Sequence, residues 1–428
     1  MAKRRYRSSL ASFIVIGTFV ALPSMGFSET LEEAWQVALK VDHNVRAGQL
    51  RASGSEEKLD AAKGARLPRF AVGSSYKVLD SAPASISSGT EIETGEAGSL
   101  SYNGTVTVPL YSFGRVAENI NAAQATLEAR HLETKKSEQD LKLAVAEAYV
   151  AILRAERVLA VAKSHVESLA AHAQDVKNRQ AQGMAARNDL LSAQVSLADA
   201  QQQLLQDNNR LDMAHTAYNR LLGRPLTQSV SVEALQVEPT DEDVDALTKL
   251  AIKQRPEMLL PSQYIASLRH QAESEKAKYG PQVGLVGGYD YTENRYQANE
   301  GAWSAKLSAT WSLFDGGIAN HRSKALRHEA EALIEDHAEL ESQIRLQVRQ
   351  IWLEVQESQK RVDVTRKAQG QAEENLSVTR NRFNAGLANN TEVLDAETLR
   401  TKTHGNYDNA VFDAALSALR LQHAIGNL

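Results

Sequence analysis

Eleven histidines are the residues of this chain best suited to chemistry. Two pairs, His165/His172 and His321/His328, stand seven residues apart, but no carboxylate completes a metal set at helical spacing. Gly284 and Gly287-Gly288 lie inside an alternating apolar run and do not open a helix, so they make no dinucleotide loop. Neither a nucleophile elbow nor a phosphate loop occurs. With no cysteine, the chain has no thiolate nucleophile, thiolate metal site, disulfide framework or lipid-bearing cysteine. The reading is a non-enzyme with no cofactor and no metal.

The elements behind these residues are written twice. Shifted by 203 positions, the pattern recurs without a gap from about residue 109 to 223. Pro109-Leu110-Tyr111-Ser112-Phe113-Gly114 falls on Ser312-Leu313-Phe314-Asp315-Gly316-Gly317, Tyr149 on Trp352, and Leu222-Gly223 on Ile425-Gly426. Upstream the offset is 213, with Ala38-Leu39-Lys40 on Ala251-Ile252-Lys253 and Pro68 on Pro281. A repeat of this length is a duplicated structural unit, not a short solenoid module. The first repeat spans 29–223, a linker 224–249 and the second repeat 250–428.

Residues 1–28 read as a signal peptide, with Lys3, Arg4, Arg5 and Arg7 before the short apolar core Leu10 to Leu22, then the small residues Gly26 and Ser28. That core is shorter than a membrane span. Its removal takes away four positive charges and no negative ones, so the net charge moves from −5 to −9. A mildly acidic chain argues against nucleic acid as a partner. No later stretch is long and apolar enough for a membrane helix, so any entry into a bilayer uses strands.

Each repeat runs from helix to hairpin to two long helices. Residues 31–66 read as helix, stopped by Pro68. The period then changes to two: Phe70, Val72, Ser74, Tyr76 and Val78 share one face, and Leu100, Tyr102, Gly104, Val106, Val108 and Leu110 share the face of the return strand. These form hairpin 69–111, with a polar loop from Asp80 to Ser99; hairpin 281–314 repeats it with a loop ten residues shorter, as the change of offset requires. The strands have the length of tilted bilayer-crossing strands, and aromatics cluster beside them. Helices are expected at 115–181 and 187–222, then at 318–384 and 390–425. Heptad rows such as Leu190, Leu197, Leu204, Leu211 and Tyr218 give coiled-coil packing. The Asp/Glu run at 241–245 reads as solvated surface. Four strands cannot close a conducting barrel, so protomers must share one.

The chain resembles the TolC-like outer-membrane efflux and type I secretion channel family over essentially its whole mature length. The resemblance rests on the tandem halves, the strand-to-helix joins at 110–115 and 313–317, and the tip motifs Arg179-Gln180-Ala181-Gln182-Gly183, Asn188-Asp189-Leu190-Leu191, Arg382-Phe383-Asn384-Ala385-Gly386 and Glu392-Val393-Leu394-Asp395. It implies a mainly α fold with β-hairpins. It also implies a homotrimer whose twelve-stranded barrel in the outer membrane continues as a periplasmic α-helical barrel. Its implied partners are a periplasmic adaptor and an inner-membrane transporter, its implied action passive conduction gated at the helix tips. Carried over residue by residue, Glu392 and Asp395 match acids that ring the entrance, three apart on one helix face. Asp189 matches a position that ties neighbouring helix pairs, but its usual arginine partner is replaced by Ala388; Arg187 and Arg382 are the substitutes at hand. Phe383 matches an aromatic gate position. Gly183 and Met184, with Gly386 and Leu387, match the tips to which adaptors dock. The alternative is a periplasmic or secreted coiled-coil scaffold with soluble hairpins.

Overall fold

Each half opens on a short capped helix. In the computed structural model, which describes residues 28–235 and 242–428, α1 (Leu31–Val41) starts from a capping box in which Thr30 and Glu33 exchange side-chain and backbone bonds. Asp42 ends α1 and restarts the chain as α2 (His43–Gly64), its carboxylate accepting from the Asn44 and Val45 N–H groups. The stretch 31–66 is therefore two helices, because an aspartate side chain can satisfy the donors that a continuous helix would use internally. The signal-peptide reading falls on residues 1–27, outside the described part, except for Ser28.

The second half repeats this with α5 (Val244–Gln254), α6 (Pro256–Lys276) and a short 3-10 turn, Ala277–Tyr279. Asp243, in the acidic run, caps α5 through the N–H groups of Asp245 and Ala246. The repeat thus resumes inside the stretch 224–249.

A four-stranded antiparallel sheet follows, ordered β1 (Arg69–Val78), β4 (Gly98–Tyr111), β5 (Gln282–Thr292), β6 (Gly301–Thr310). The long first loop holds its own two-stranded ribbon, β2 (Ala84–Ser87) on β3 (Thr90–Glu93). Tyr76 stands opposite Leu100, and Tyr289 opposite Trp303, so both hairpins keep one register. The sheet's apolar face is bare, with Val72 91 % exposed and Phe70, Tyr76, Trp303 and Leu307 beside it. Both outer edges, β1 and β6, are unpaired in the protomer.

Strand passes to helix through left-handed residues. Gly114 has φ +87°, and Gly316 and Gly317 have +72° and +84°, angles that cost a glycine little. The helices α3 (Arg115–Ala181) and α7 (Ile318–Asn384) have 67 residues each, on the order of 100 Å. Near the sheet, α3 lies between α2 and α6, and α6 lies between α3 and α7. Farther away, α4 (Arg187–Leu221) covers α3, and α8 (Asn390–Ala424) lies between α3 and α7. Gly223, after α4, abuts Val41, and Gly426, after α8, abuts Arg255, so the shorter helices meet end to end.

The largest core sits at that junction. Trp35, Leu141, Val145, Tyr149, Ile152, Tyr218 and Leu222 pack together there. The Tyr149 hydroxyl donates to the carbonyls of Glu29 and Glu233, while Arg224 forks onto the Glu29 carboxylate at 2.5 and 2.9 Å. Trp352, the counterpart of Tyr149, donates to the Glu242 carbonyl in the same way.

Candidate functional site

The two helix hairpins end in the same turn. Gly183 and Gly386 both have φ +74°. The Met184 N–H donates to the Arg179 carbonyl, and the Leu387 N–H to that of Arg382, each at 2.8 Å. This closure satisfies carbonyls that a helix end leaves open and requires a residue at ease in the left-handed region. The apolar residue of such a turn commonly packs back on its helix. Here Met184 and Leu387 stand out at 66 % and 70 % exposure.

Glu392 has two bonds before it could serve any pore. Its N–H donates to the Asn389 side chain at 2.9 Å, and its carboxylate accepts the Asn389 N–H at 3.2 Å. Arg382 lies 3.5 Å from the same carboxylate and also donates to the Leu387 carbonyl. Arg382 therefore closes its own hairpin. Asp395, one turn on, is exposed on the same side of α8. Asp189 likewise closes its own helix start, accepting the Ala186 N–H at 3.3 Å. Its carbonyl, however, accepts from the Asn390 side chain at 3.2 Å, which ties the first hairpin to the second. Ala388 packs at the edge of the tip core, and Arg187 is exposed.

Phe383 is packed inside the protomer. It is buried with Ala173, Val176, Ala193 and Val393, with the Arg179 guanidinium 4.4 Å from its ring centre and the His172 ring at 5.2 Å. Arg179 also donates to the Phe383 carbonyl at 3.1 Å. This side chain joins α3 to α7 within one chain.

The strongest electrostatic feature lies above the tips. Glu397 of α8 is 0 % exposed. It meets Arg380 of α7 and Ser168 of α3, and Arg400 approaches it at 3.4 Å and His165 at 3.8 Å. Burial opposes ionisation, yet the hydrogen bonds from His165 and Ser168 and the charges of Arg380 and Arg400 outweigh it and bring the carboxyl down to about 2. Two turns toward the tip, the buried His172 ring shares a 2.7 Å bond with Asn390. Burial, the largest influence, pushes the His172 pKa below its ordinary value. These groups clasp the two coiled coils together. The seven-residue spacing of His165 and His172 is the sequence signal for this seam, since it marks the row of α3 that faces α8; Asn390 and Glu397 are spaced the same way.

Among the described residues, no helix is long and apolar enough to cross a membrane, and no three His, Asp or Glu side chains are gathered to hold a metal ion.

Comparison with known proteins agrees with this geometry. The model of the family described as outer membrane efflux protein matches residues 34–224 and 247–427. The outer membrane protein TolC of Vibrio cholerae is 23 % identical over 98 % of this chain and 95 % of its own length. The alkaline protease secretion protein AprF of Pseudomonas aeruginosa is 24 % identical over 74 % of this chain and 67 % of its own. Among solved structures, the outer-membrane channel OprN superposes with a TM-score of 0.80 at 18 % identity, covering 93 % of this chain and 90 % of that one. VceC of Vibrio cholerae gives 0.80 at 18 % identity, with 92 % and 96 % covered. The family model thus covers both halves, and the chain belongs to the outer membrane efflux protein family, an outer-membrane protein with a periplasmic extension.

Proposed function

We propose that this protein is the exit duct of a tripartite efflux or type I secretion system, conducting passively and gated at the helix tips. The observation that carries the reading is one continuous body in which a sheet with a bare apolar face and two open edges passes into two helices of 67 residues. Three copies would close the sheet into a twelve-stranded barrel, which removes the edges that lipid does not tolerate. Their helices would prolong the bore across the periplasm. A periplasmic adaptor would dock at the exposed Met184 and Leu387, held out by the Gly183 and Gly386 turns, and an inner-membrane transporter would supply the cargo.

Glu392 and Asp395 would line the narrow end. Three copies bring six carboxylates near the axis, a field that concentrates cations. Asp395 carries more of it, because Glu392 shares its charge with Arg382. Phe383 and Asp189 would act on the gate indirectly, by holding the first hairpin against the second. In planar-bilayer recordings, replacing Glu392 and Asp395 with alanine is expected to weaken block by polyvalent cations. Unchanged block would reject the acidic ring while leaving the duct in place.

A further inference from the structure

The strands of the four-stranded sheet carry only Arg69, Lys77, Asp290 and Lys306 as charged residues, and all of them sit on one face. Phe70, Val72, Tyr76, Trp303 and Leu307 mark the bare apolar face. Side chains alternate along a strand, so Arg69 and Lys77 of β1, Asp290 of β5 and Lys306 of β6 point the other way. A barrel turns its apolar face to lipid and its polar face to the bore. Each chain therefore gives the bore of the barrel an excess of positive charge.

Strand pairing puts two of the cations on one level. Arg69 lies opposite Thr107, Thr107 opposite Val286 and Val286 opposite Lys306, one row across all four strands. Asp290 belongs to another row, with Gly73, Asn103 and Ala302, about 13 Å away along the strands. Lys306 stands in the middle of β6, so a place at the membrane rim does not explain its charge. Toward the helices, Arg115 at the start of α3 donates to Gln282 of the same polar face at 3.3 Å. Arg69 and Arg115 together line a recess of about 690 Å³ between the sheet and the helices, beside Thr107 and Asn119, and no carboxylate lines it. Arg69, Lys77 and Lys306 are exposed, and among the described residues none of them meets a carboxylate. On the stalk, by contrast, Arg154, Arg361 and Arg420 each meet an acid. Because β1 and β6 are the outer strands, closing the barrel brings Lys306 of one copy to the wall that holds Arg69 and Lys77 of the next.

We propose that this collar is a binding site for small polyvalent oxyanions, solutes that bear several phosphate or carboxylate groups, and that it selects them at the barrel end of the bore. This names a cargo class for the proposed duct, and so rests on that reading. Arg69 and Lys306 of each copy face one another across a water-filled bore whose low-dielectric wall concentrates their field. A guanidinium can fork onto an oxyanion. The polar face of β4, with Ser99, Ser101, Asn103, Thr105 and Thr107, adds neutral donors and no competing charge. The two ends of the duct then differ in sign. An anion repelled by Glu392 and Asp395 at the tips, and attracted by the collar, is drawn toward the exit once it has entered.

Tripolyphosphate is the probe, with the full chain in planar bilayers. Added on the barrel side, it is expected to block the current, and to block it less as potassium chloride is raised, because salt screens the collar. Arg69→Gln with Lys306→Gln removes two charges from every copy and should raise the half-blocking concentration about tenfold. Lys306→Gln alone, at an exposed position, gives a smaller step in the same direction, and Lys306→Arg, which keeps the charge, blocks as the unaltered chain does. A conducting channel that tripolyphosphate does not block, or blocks equally in the double variant, overturns the collar and leaves the duct standing. So does a Lys306→Arg channel that behaves as Lys306→Gln. A protein that forms no channel before any substitution overturns both.

Discussion

The two helix hairpins leave their first helix through one backbone turn and enter their second helix differently. The Asn389 side chain accepts the Glu392 N–H, and the Asn389 N–H donates to the Glu392 carboxylate in return, with Arg382 alongside. Its counterpart is Ala186, which has no side chain for the task, so only Asp189 reaches back. Seven residues beyond Asn390, α8 carries the buried Glu397, whereas α4 carries the exposed Gln194. A duplicated unit therefore keeps its shape while its fastening becomes unequal. The second hairpin is capped and clasped by charge, and the first depends on what the second offers it.

That inequality can be broken at its strongest point. Glu397→Ala removes the carboxylate from among Arg380, Arg400 and Ser168. Leaving buried charge unpaired costs about 3 kcal/mol, the lower end of the usual range because Arg380 is partly exposed. Gln194→Ala, at the matching exposed site, should cost under about 0.5 kcal/mol. Denaturant unfolding of the two variants measures the gap, and equal losses would erase the distinction between the hairpins.

The caps offer a smaller contrast. Asn389→Ala should lose about 1 kcal/mol, whereas Ala186→Asn should gain a comparable amount, since asparagine can accept from the open N–H groups of the first turn. Hydrogen exchange at the starts of α8 and α4 reports each separately.

The smallest effect is acid sensitivity. Burial holds His172 below its ordinary pKa, so its neutral form stabilises the seam above about pH 6.5, and that stability is lost as pH falls. Glu397 has the same sign in a different window: its contribution persists above the ordinary carboxylate range and is lost only on the way down to about 2. Between pH 7 and 5, exchange at the tip end of the α3–α8 contact around His172 should therefore quicken, and His172→Gln should flatten the response there. An undiminished response in that variant would assign the sensitivity elsewhere.

Much of this architecture was readable from the chain because its signals are periodic. A period of two, a heptad and a long offset each survive substitution of individual residues; the long helices run at Arg115–Ala181, Arg187–Leu221, Ile318–Asn384 and Asn390–Ala424, while the return strand of the second hairpin ends at Thr310, short of 314. The break at Asp42 was not readable, since an aspartate after an apolar face suits a helix surface as well as a cap. The site is harder for a different reason. Glu392, Asp395 and Asp189 can be matched by position, but whether a carboxylate is open or engaged depends on Asn389, Arg382 and Ala186, which the fold brings to it. Phe383 shows the same limit, for an aromatic near a turn reads alike whether it faces a bore or a core. His165 and His172 stand out by their spacing, but Glu397 reads as an ordinary polar member of its helix, and only the pairing of α3 with α8 gives these residues a common role.

The unequal outer loops have a consequence for how such a molecule can change. A residue on α3 is fixed by neighbours on two sides, and the two long helices have kept equal lengths. The ribbon of β2 and β3 answers to few of those neighbours, and it has no equal in the other half. Novelty can therefore accumulate in the loops at the far end of the sheet, one loop at a time, while the long helices stay bound to their own duplicates.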